Sequence, residues 1–549
     1  MRIIKGACVS QGVAIGTLRF LKNEPVIIRR EKIDDAESEI ARFEKARDMA
    51  YARLDELYKE ALNRVGEESA AIFDIHKMML DDLDYRESVA DIIRTQKVNS
   101  EYAVNLTSQK FAGIFSSMDD VYMQGRAADV FDISERIQKA LRPELYDTFV
   151  LNAPSILAAR DIAPSEVVQL DKSMILGFVT AEGAENSHTS ILARSMGIPA
   201  VIGMGAGLTA EMDGRPAILD GSGSVLYVDP DEVTTETMSG KLLEIREKRE
   251  ALNTLKGRPN VTLDGRKINV FANVNDLSGL DAAIDNDAEG IGLFRSEFLY
   301  LGSKCYPTEE EQFAAYKQVA ERMNGRKVIV RTLDIGADKR AAYFDLPHEK
   351  NPAMGLRAIR LCLARPEVFK TQLRALYRAS AFGNVAIMFP MIISTREVED
   401  ILEITEEVKA DLKRENVPFN EKTERGIMIE TPAAVMISGE LAKMADFFSI
   451  GTNDLTQYTL AIDRQNSQLN RFYDPRHPAI LKMIEMTVKS AHDAGIWVGI
   501  CGELGADPEL TETFLRMGID ELSVSPGMVL PIRKKISSLN LYPGCVRGR

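Results

Sequence analysis

Gly290-Ile-Gly-Leu-Phe-Arg295 sets five small or apolar residues directly before an arginine, and the carboxyl-terminal half of the chain repeats that arrangement. Short, strongly apolar runs recur at residues 268–274, 290–294, 328–330, 385–389, 426–429, 447–450, 496–500 and 522–524. Eight such runs, most separated by helical segments, approach the length of a (β/α)8 barrel, about 250 residues. Their apolar character predicts parallel strands buried on both faces. Polar residues lie within or just after them: Asn273, Arg295, Arg331, Glu430, Asn453 with Asp454, Cys501, Ser523 and Ser525. Arginines and carboxylates beside buried strands are costly unless they project into a polar pocket. In a parallel barrel the strand ends open on one face, where active sites sit.

The residue types on that face predict a doubly anionic substrate. Arg295, Arg331, Arg357 and Arg464, with Lys339, carry more positive charge than a neutral metabolite needs. Guanidinium forks match phosphate and carboxylate oxygens two at a time. Glu430 and Asp454, beside a phosphate, suit Mg2+, a hard cation that shares phosphate oxygens and keeps waters. Cys501 lies between glycines in Gly499-Ile-Cys-Gly-Glu. A thiol whose pKa is near the operating range is matched to protonating an enolate carbon; its bland alternative is a small buried hydrophobe.

Moving toward the amino terminus, the charged helical stretch 231–255 reads as a linker. Before it, Gly183-Ala-Glu-Asn-Ser-His188-Thr-Ser-Ile-Leu-Ala-Arg194 puts a histidine where a helix begins. Ser187 is placed to cap that helix, and Ile191, Leu192 and Met196 give it an apolar face. The positive end of the helix dipole keeps the ring neutral and nucleophilic, and free N–H groups there can hold an acquired phosphoryl charge. Residues 1–22 and 144–228 both read as short strands, those of the second segment alternating with helices. Between them, 33–142 is proline-free and helical, with Ile40, Phe43, Ala46, Ala50 and Leu54 at steps of three or four. A helical bundle therefore interrupts a small α/β domain. The expected domains are 1–22 plus 144–228, the bundle 23–143, a linker 229–259, and the barrel 260–549.

Composition narrows the class. The chain has 549 residues, a formal charge of −14, and 68 Lys+Arg against 82 Asp+Glu, which argues against a nucleic-acid partner and suits a basic protein partner. Its five cysteines (Cys8, Cys305, Cys362, Cys501 and Cys545) are scattered without metal-type spacing, as in a reducing cytoplasm. No apolar run has membrane-spanning length, and the first residues lack a signal-peptide core. A cytosolic protein is expected.

Taken in order, these stretches resemble Enzyme I of the bacterial sugar phosphotransferase system, the phosphoenolpyruvate–protein phosphotransferase family. The resemblance covers essentially the whole chain. It runs through Ser10-Gln-Gly-Val-Ala-Ile-Gly, Arg126-Ala-Ala-Asp-Val-Phe-Asp-Ile, Ser187-His188, Gly290-Ile-Gly-Leu-Phe-Arg-Ser-Glu-Phe and Arg331-Thr-Leu-Asp-Ile-Gly. It continues in Asn351-Pro-Ala-Met-Gly-Leu-Arg-Ala-Ile-Arg360, Glu430-Thr-Pro-Ala-Ala, Gly451-Thr-Asn-Asp-Leu-Thr-Gln-Tyr and Cys501-Gly-Glu. The resemblance implies a swivelling α/β phosphohistidine domain carrying the helical insertion, followed by a (β/α)8 barrel. It implies that His188 is phosphorylated and that Arg295, Arg331, Asn453 and Arg464 hold phosphoenolpyruvate. Glu430 and Asp454 fall on Mg2+, Asp454 also counts among the substrate contacts, and Cys501 is the proton donor. Arg357 and Lys339 lie in further family-like stretches as substrate contacts. The insertion, with Glu67, Glu68 and His76, is the implied docking module for the phosphocarrier protein HPr, and the barrel the implied homodimer interface.

Two departures stand out. The family's Gly-Gly-x-Thr-Ser-His reads Gly183-Ala-Glu-Asn-Ser-His188 here, so Ala184 and Asn186 replace glycine and threonine while Glu185 adds a negative charge. Ala337 replaces a usual glycine before Asp338-Lys339. Asn186 can still offer a hydrogen bond to ring or phosphate. A dikinase or synthase of the same broad group needs a nucleotide-grasp domain, for which the chain has no room. A silent scaffold would not need His188, Cys501 and the arginines together.

Overall fold

The computed structural model describes residues 1–21, 28–64, 67–117, 121–142, 151–160, 172–183, 197–277, 279–301, 303, 305–336, 342–346, 349–464 and 466–541. It comprises two compact units, Met1–Lys248 and Arg249–Arg549.

In the first unit eight strands form one sheet: β1 (Arg2–Lys5), β2 (Ala7–Ser10), β3 (Val13–Phe20), β4 (Ser155–Ala159), β5 (Ile175–Thr180), β6 (Ala200–Ile202), β7 (Pro216–Asp220) and β8 (Val225–Val228). Their spatial order is β1-β8-β7-β3-β4-β5-β6-β2. Strands β3 to β6 run parallel, with Phe20 opposite Ala158 across the β3–β4 pair. The other pairings are antiparallel. Every residue of β4 is buried, as a strand covered on both faces requires.

Between β3 and β4 the chain leaves the sheet to build five helices: α1 (Ala36–Arg64), α2 (Glu67–Leu80), α3 (Leu83–Gln96), α4 (Ser100–Ser116) and α5 (Val121–Leu141). Phe43, Ala46, Ala50 and Leu54, at the helical spacing seen in the sequence, are buried in one core with Phe73, Val89 and Ile133. Ile40 packs against that core, partly exposed. Asp82 caps α3 by accepting the Tyr85 N–H at 2.9 Å, a contact of about 1 kcal/mol. Helix α6 (Glu232–Asn253) buries none of its residues, as its charged sequence implies, and the boundary between the units falls within it.

The second unit is a closed barrel of eight parallel strands: β9 (Asn269–Val274), β10 (Gly290–Arg295), β11 (Lys327–Arg331), β12 (Val385–Phe389), β13 (Arg425–Ile429), β14 (Phe447–Ile450), β15 (Trp497–Ile500) and β16 (Glu521–Val524). All eight fall on the apolar runs of the sequence. Alternation along each strand feeds two cores. Val328 and Val330 join the large core shared with the outer helices, while Ile329 joins Phe271, Leu293, Met388, Met428 and Phe447 inside the barrel. Gly426 is required there because a Cβ would come within 2.2 Å of the Phe447 ring. Among the outer helices, Glu309–Arg322 and Thr395–Arg414 each start with a capping box, Thr308 with Glu311 and Ser394 with Glu397. Among the described residues no helix is long and apolar enough to cross a membrane.

Candidate active site

Parallel strands deliver their last residues to one face, and most of the polar residues picked from the sequence arrive there. Arg295 and Arg331 end β10 and β11 and are register partners. Glu430 and Cys501 directly follow β13 and β15, and Asn453 and Asp454 sit in the first turn of helix Thr452–Leu460, after β14. Arg464 lies in the loop beyond that helix.

Arg331 and Arg357 are buried, and both are held by one acid. Asp334 accepts an ion pair from Arg331 Nη1 at 2.9 Å and another from Arg357 Nη2 at 2.8 Å. Glu297 meets Arg331 Nη2 at 2.5 Å. Burial opposes the charge on both guanidinium groups, yet Glu297 and Asp334 at Arg331, and Asp334 and Asp454 at Arg357, raise their pKa values above the ordinary arginine value. Arg295 is exposed at the mouth, but its surroundings, and after them the charge of Arg331, lower its pKa. Arg464 Nη2 lies 3.8 Å from Asp454 Oδ2, and Arg357 Nη1 lies 4.0 Å from Asp454 Oδ1. The cluster thus brings Arg357 and Arg464 to Asp454, and Arg331 and Arg357 to Asp334.

Glu430 is buried and its Oε1 accepts the Met391 N–H at 2.7 Å. Burial first, then the charges of Asp454 and Asp334, push its carboxyl up to about 8. Gly451 makes room for it, since a Cβ there would lie 2.8 Å from Glu430 Oε2. The Met391 N–H comes from a residue at φ 60, and Ala358, next to Arg357, sits at φ 53. Left-handed backbone at non-glycine residues stores strain, and here it lies beside Glu430 and Arg357.

Buried polar atoms without a hydrogen-bond partner among the described residues gather on this face: Arg331 Nε, Arg357 Nε, Asp454 Oδ1, Glu297 Oε2 and Asn273 Oδ1. Buried orphans of both donor and acceptor type call for a polar ligand. The donor set fits a hard divalent cation: Asp454 Oδ1 is a buried carboxylate oxygen that accepts no hydrogen bond among the described residues, and the charge of Asp454 is one cause of the raised Glu430 pKa. Among the described residues no group of three or more His, Cys, Asp or Glu is placed to hold a metal, so substrate oxygens and water would complete the shell.

Cys501 is buried at the top of the barrel interior, its Sγ 3.7 Å from the Ile450 carbonyl. Its thiol differs from the sequence expectation of a pKa near the operating range. Burial pushes it up to about 12, with a hydrogen bond to Ser449 opposing. It is therefore a firmly protonated acid rather than a poised thiolate.

Sequence reading missed two acids, Glu297 and Asp334, that hold Arg331. Their signal was present: each follows a strand-end arginine by two or three residues, and a buried arginine needs a counter-charge close by. Asn453 was expected to touch substrate; its Oδ1 accepts the Glu503 N–H at 3.1 Å, which ties the β14 and β15 loops together. His188, Glu185, Asn186, Lys339 and Ala337 lie outside the described residues, as do the side chains of Glu67 and Glu68.

On the helical bundle, His76 is buried rather than on the helix surface. Its Nε2 lies 3.3 Å from Asp129 and its Nδ1 3.1 Å from Asp132. Burial works against the ring's charge, but Asp129 and Asp132 outweigh it and raise the pKa. Phe131, between those aspartates in sequence, and Met78 on α2 are exposed.

Comparison with known proteins covers nearly the whole chain. The PEP-binding domain of the PEP-utilising enzymes matches residues 249–541. The N-terminal and mobile domains of the same enzymes match residues 5–126 and 151–223. A phosphoenolpyruvate-protein phosphotransferase of Haemophilus influenzae is 43% identical over 541 residues, covering 98% of this chain and 94% of that one. One of Staphylococcus carnosus is 41% identical, with 98% and 94% covered, and one of Bacillus subtilis is 39% identical, with 98% and 95% covered.

Proposed function

The chain belongs to the PEP-utilising enzymes, in the phosphoenolpyruvate–protein phosphotransferase family known as Enzyme I, and from that premise we propose that it phosphorylates itself on His188. The phosphoryl donor is phosphoenolpyruvate, and the acceptor after His188 is a histidine of HPr, as the first step of sugar uptake. The observation that carries this reading is the cluster in which Arg331 and Arg357 share Asp334 beside the acids Glu430 and Asp454 and the protonated thiol of Cys501.

Phosphoenolpyruvate presents a phosphate and a carboxylate. Arg295, Arg331, Arg357 and Arg464, with Lys339, neutralise them and fix the phosphorus for in-line attack. Arg331 and Arg357 are already immobilised by Asp334, so little side-chain freedom is lost on binding. Glu430 and Asp454 would hold Mg2+, which when bound spreads the charge of the transferring group. A ring nitrogen of His188 forms the new bond to phosphorus as the bond to the enol oxygen breaks. The departing enolate takes a proton at its methylene carbon from Cys501 Sγ, giving pyruvate, and the thiolate recovers a proton from water. The raised thiol pKa supports this role, because the donor stays loaded until an enolate base appears.

Phospho-His188 must then reach HPr. One position cannot serve both partners, so the phosphohistidine domain, 1–22 with 144–228, swivels about the linkers near 144 and 231–255 between the barrel, 260–549, and the bundle, 23–143. The paired charges of His76, Asp129 and Asp132, with exposed Phe131 and Met78, support the bundle as the docking face. Exposed Met354, Met436 and Phe472 supply apolar surface for a homodimer through the barrel. Incubation with labelled phosphoenolpyruvate and Mg2+ tests the reading. Acid-labile, base-stable label on His188 that passes to HPr is expected; full transfer by His188→Ala would overturn it.

A further inference from the structure

The opposite end of the barrel holds a second polar cleft. It measures about 760 Å³ and is lined by the first residues of three strands, Asn269, Lys327 and Trp497, together with Arg258 and Lys267. That volume is in the range of small-molecule sites, roughly 300–1,000 Å³.

Most of the charge around it is committed to the fold. Arg533 donates to Asn260 Oδ1 at 2.8 Å, to the Leu255 carbonyl at 2.9 Å and to the Asp287 carbonyl at 2.7 Å. Arg326 donates to the Ala288 carbonyl at 2.7 Å, and Lys327 pairs with Glu424 at 2.6 Å. Asp287 is engaged by Arg533 and by the Gly257 N–H. Glu289 stays as an opposing charge, its Oε2 accepting the Val270 N–H at 3.4 Å. Lys267 and Arg258 are not committed in this way. Both are exposed, and neither side chain has a hydrogen-bond or ion-pair partner among the described residues.

Two neutral donors join them. The Asn269 amide and the Trp497 indole N–H line the cleft, both partly buried, and neither has a hydrogen-bond partner among the described residues. The indole is fixed, stacked on Phe447 at 4.5 Å and 8°, with Lys327 Nζ 5.0 Å from its ring centroid. One effect opposes an anion here. The outer helices end on this side of the barrel, and their C-termini carry partial negative charge. That dipole acts within a turn and is met by the carbonyl-bound arginines, whereas Lys267 and Arg258 are full charges without a partner among the described residues.

We propose that this cleft binds a small metabolite carrying two or more oxyanion groups, phosphate or carboxylate, held by Lys267 and Arg258 and hydrogen-bonded by Asn269 and Trp497. Trp497 is the single tryptophan of the chain, so its fluorescence reports on this cleft. The full-length protein is titrated with inorganic pyrophosphate and, separately, with citrate, following fluorescence and heat. A saturable response is expected, weakened at least about tenfold in Arg258→Ala/Lys267→Ala, the loss of two charge-assisted contacts. It should persist in Arg295→Ala, which lies at the other mouth. A response to pyrophosphate alone assigns a phosphoryl ligand and one to citrate alone a polycarboxylate. No heat or fluorescence change with either probe, undiminished binding in the folded double variant, or loss in Arg295→Ala would each overturn the proposal.

Discussion

Asp334 Oδ2 lies 2.9 Å from Arg331 Nη1, three residues back along the chain, while its second oxygen holds Arg357 Nη2 at 2.8 Å. One buried carboxylate thus fixes two guanidinium groups that would otherwise repel each other. Asp334→Asn keeps the shape and removes the charge. Breaking a buried pair costs about 3–5 kcal/mol, so urea unfolding of the barrel should shift by that order, and the KM for phosphoenolpyruvate should rise. An unchanged midpoint with an unchanged KM would count against a shared anchor.

Cys501 should be chemically quiet and catalytically necessary. With its thiol raised to about 12 it carries almost no thiolate at pH 8, whereas Cys305 is exposed. Iodoacetamide followed by mass spectrometry should modify Cys305 first and leave Cys501 largely intact in the folded protein. Cys501→Ala should lower steady-state turnover by about 10²–10⁴-fold, the usual worth of a positioned proton donor. Normal turnover in that variant would remove its acid role.

His76 gives the bundle a pH-dependent tie. Its folded pKa is raised above the unfolded value, about 6.5. The stabilisation is therefore complete below that unfolded value and fades as pH rises through the higher folded value. Amide exchange along α2 and α5 should speed up across that window, and His76→Gln should flatten the change. Exchange that slows with rising pH, after correction for intrinsic rates, would contradict the pairing with Asp129 and Asp132.

Gly451→Ala tests the acid pair. Its φ of −85 is ordinary for alanine, so the added Cβ acts through its close approach to Glu430, 2.8 Å from Oε2 and 2.9 Å from Cβ, with Met428 Cγ 3.2 Å away. Displacing that carboxylate should raise the Mg2+ concentration for half-maximal activity by about tenfold, in line with perturbed metal sites. The unfolding midpoint should move by less than in Asp334→Asn. Equal Mg2+ dependence would separate Glu430 from the metal.

Much of this was legible in the chain, for a physical reason. Parallel barrel strands are buried on both faces, so runs such as Val385-Ala-Ile-Met-Phe stand out against their surroundings, and a charge at the end of a run, as in Arg331 or Glu430, must point out of the barrel. The supporting acids were less visible. Asp334 follows β11 in a loop without periodicity, and nothing in sequence ties it to Arg357, which lies 23 residues further on. The Cys501 thiol was misjudged because its pKa depends on burial, which composition does not carry. The burial of His76 was not legible because its partners, Asp129 and Asp132, come from α5, more than fifty positions away.

The placement of the bundle has a mechanical corollary. It leaves from β3 and returns to β4, the two middle strands of an eight-stranded sheet, and those strands point the same way. A tight turn cannot join parallel neighbours; some bridge of about a dozen residues or more must cross the face. The inserted segment, with the five helices among its described residues, is that bridge, so excising it demands a substitute span rather than a simple splice. The bundle is therefore tied to the centre of the sheet rather than to either edge.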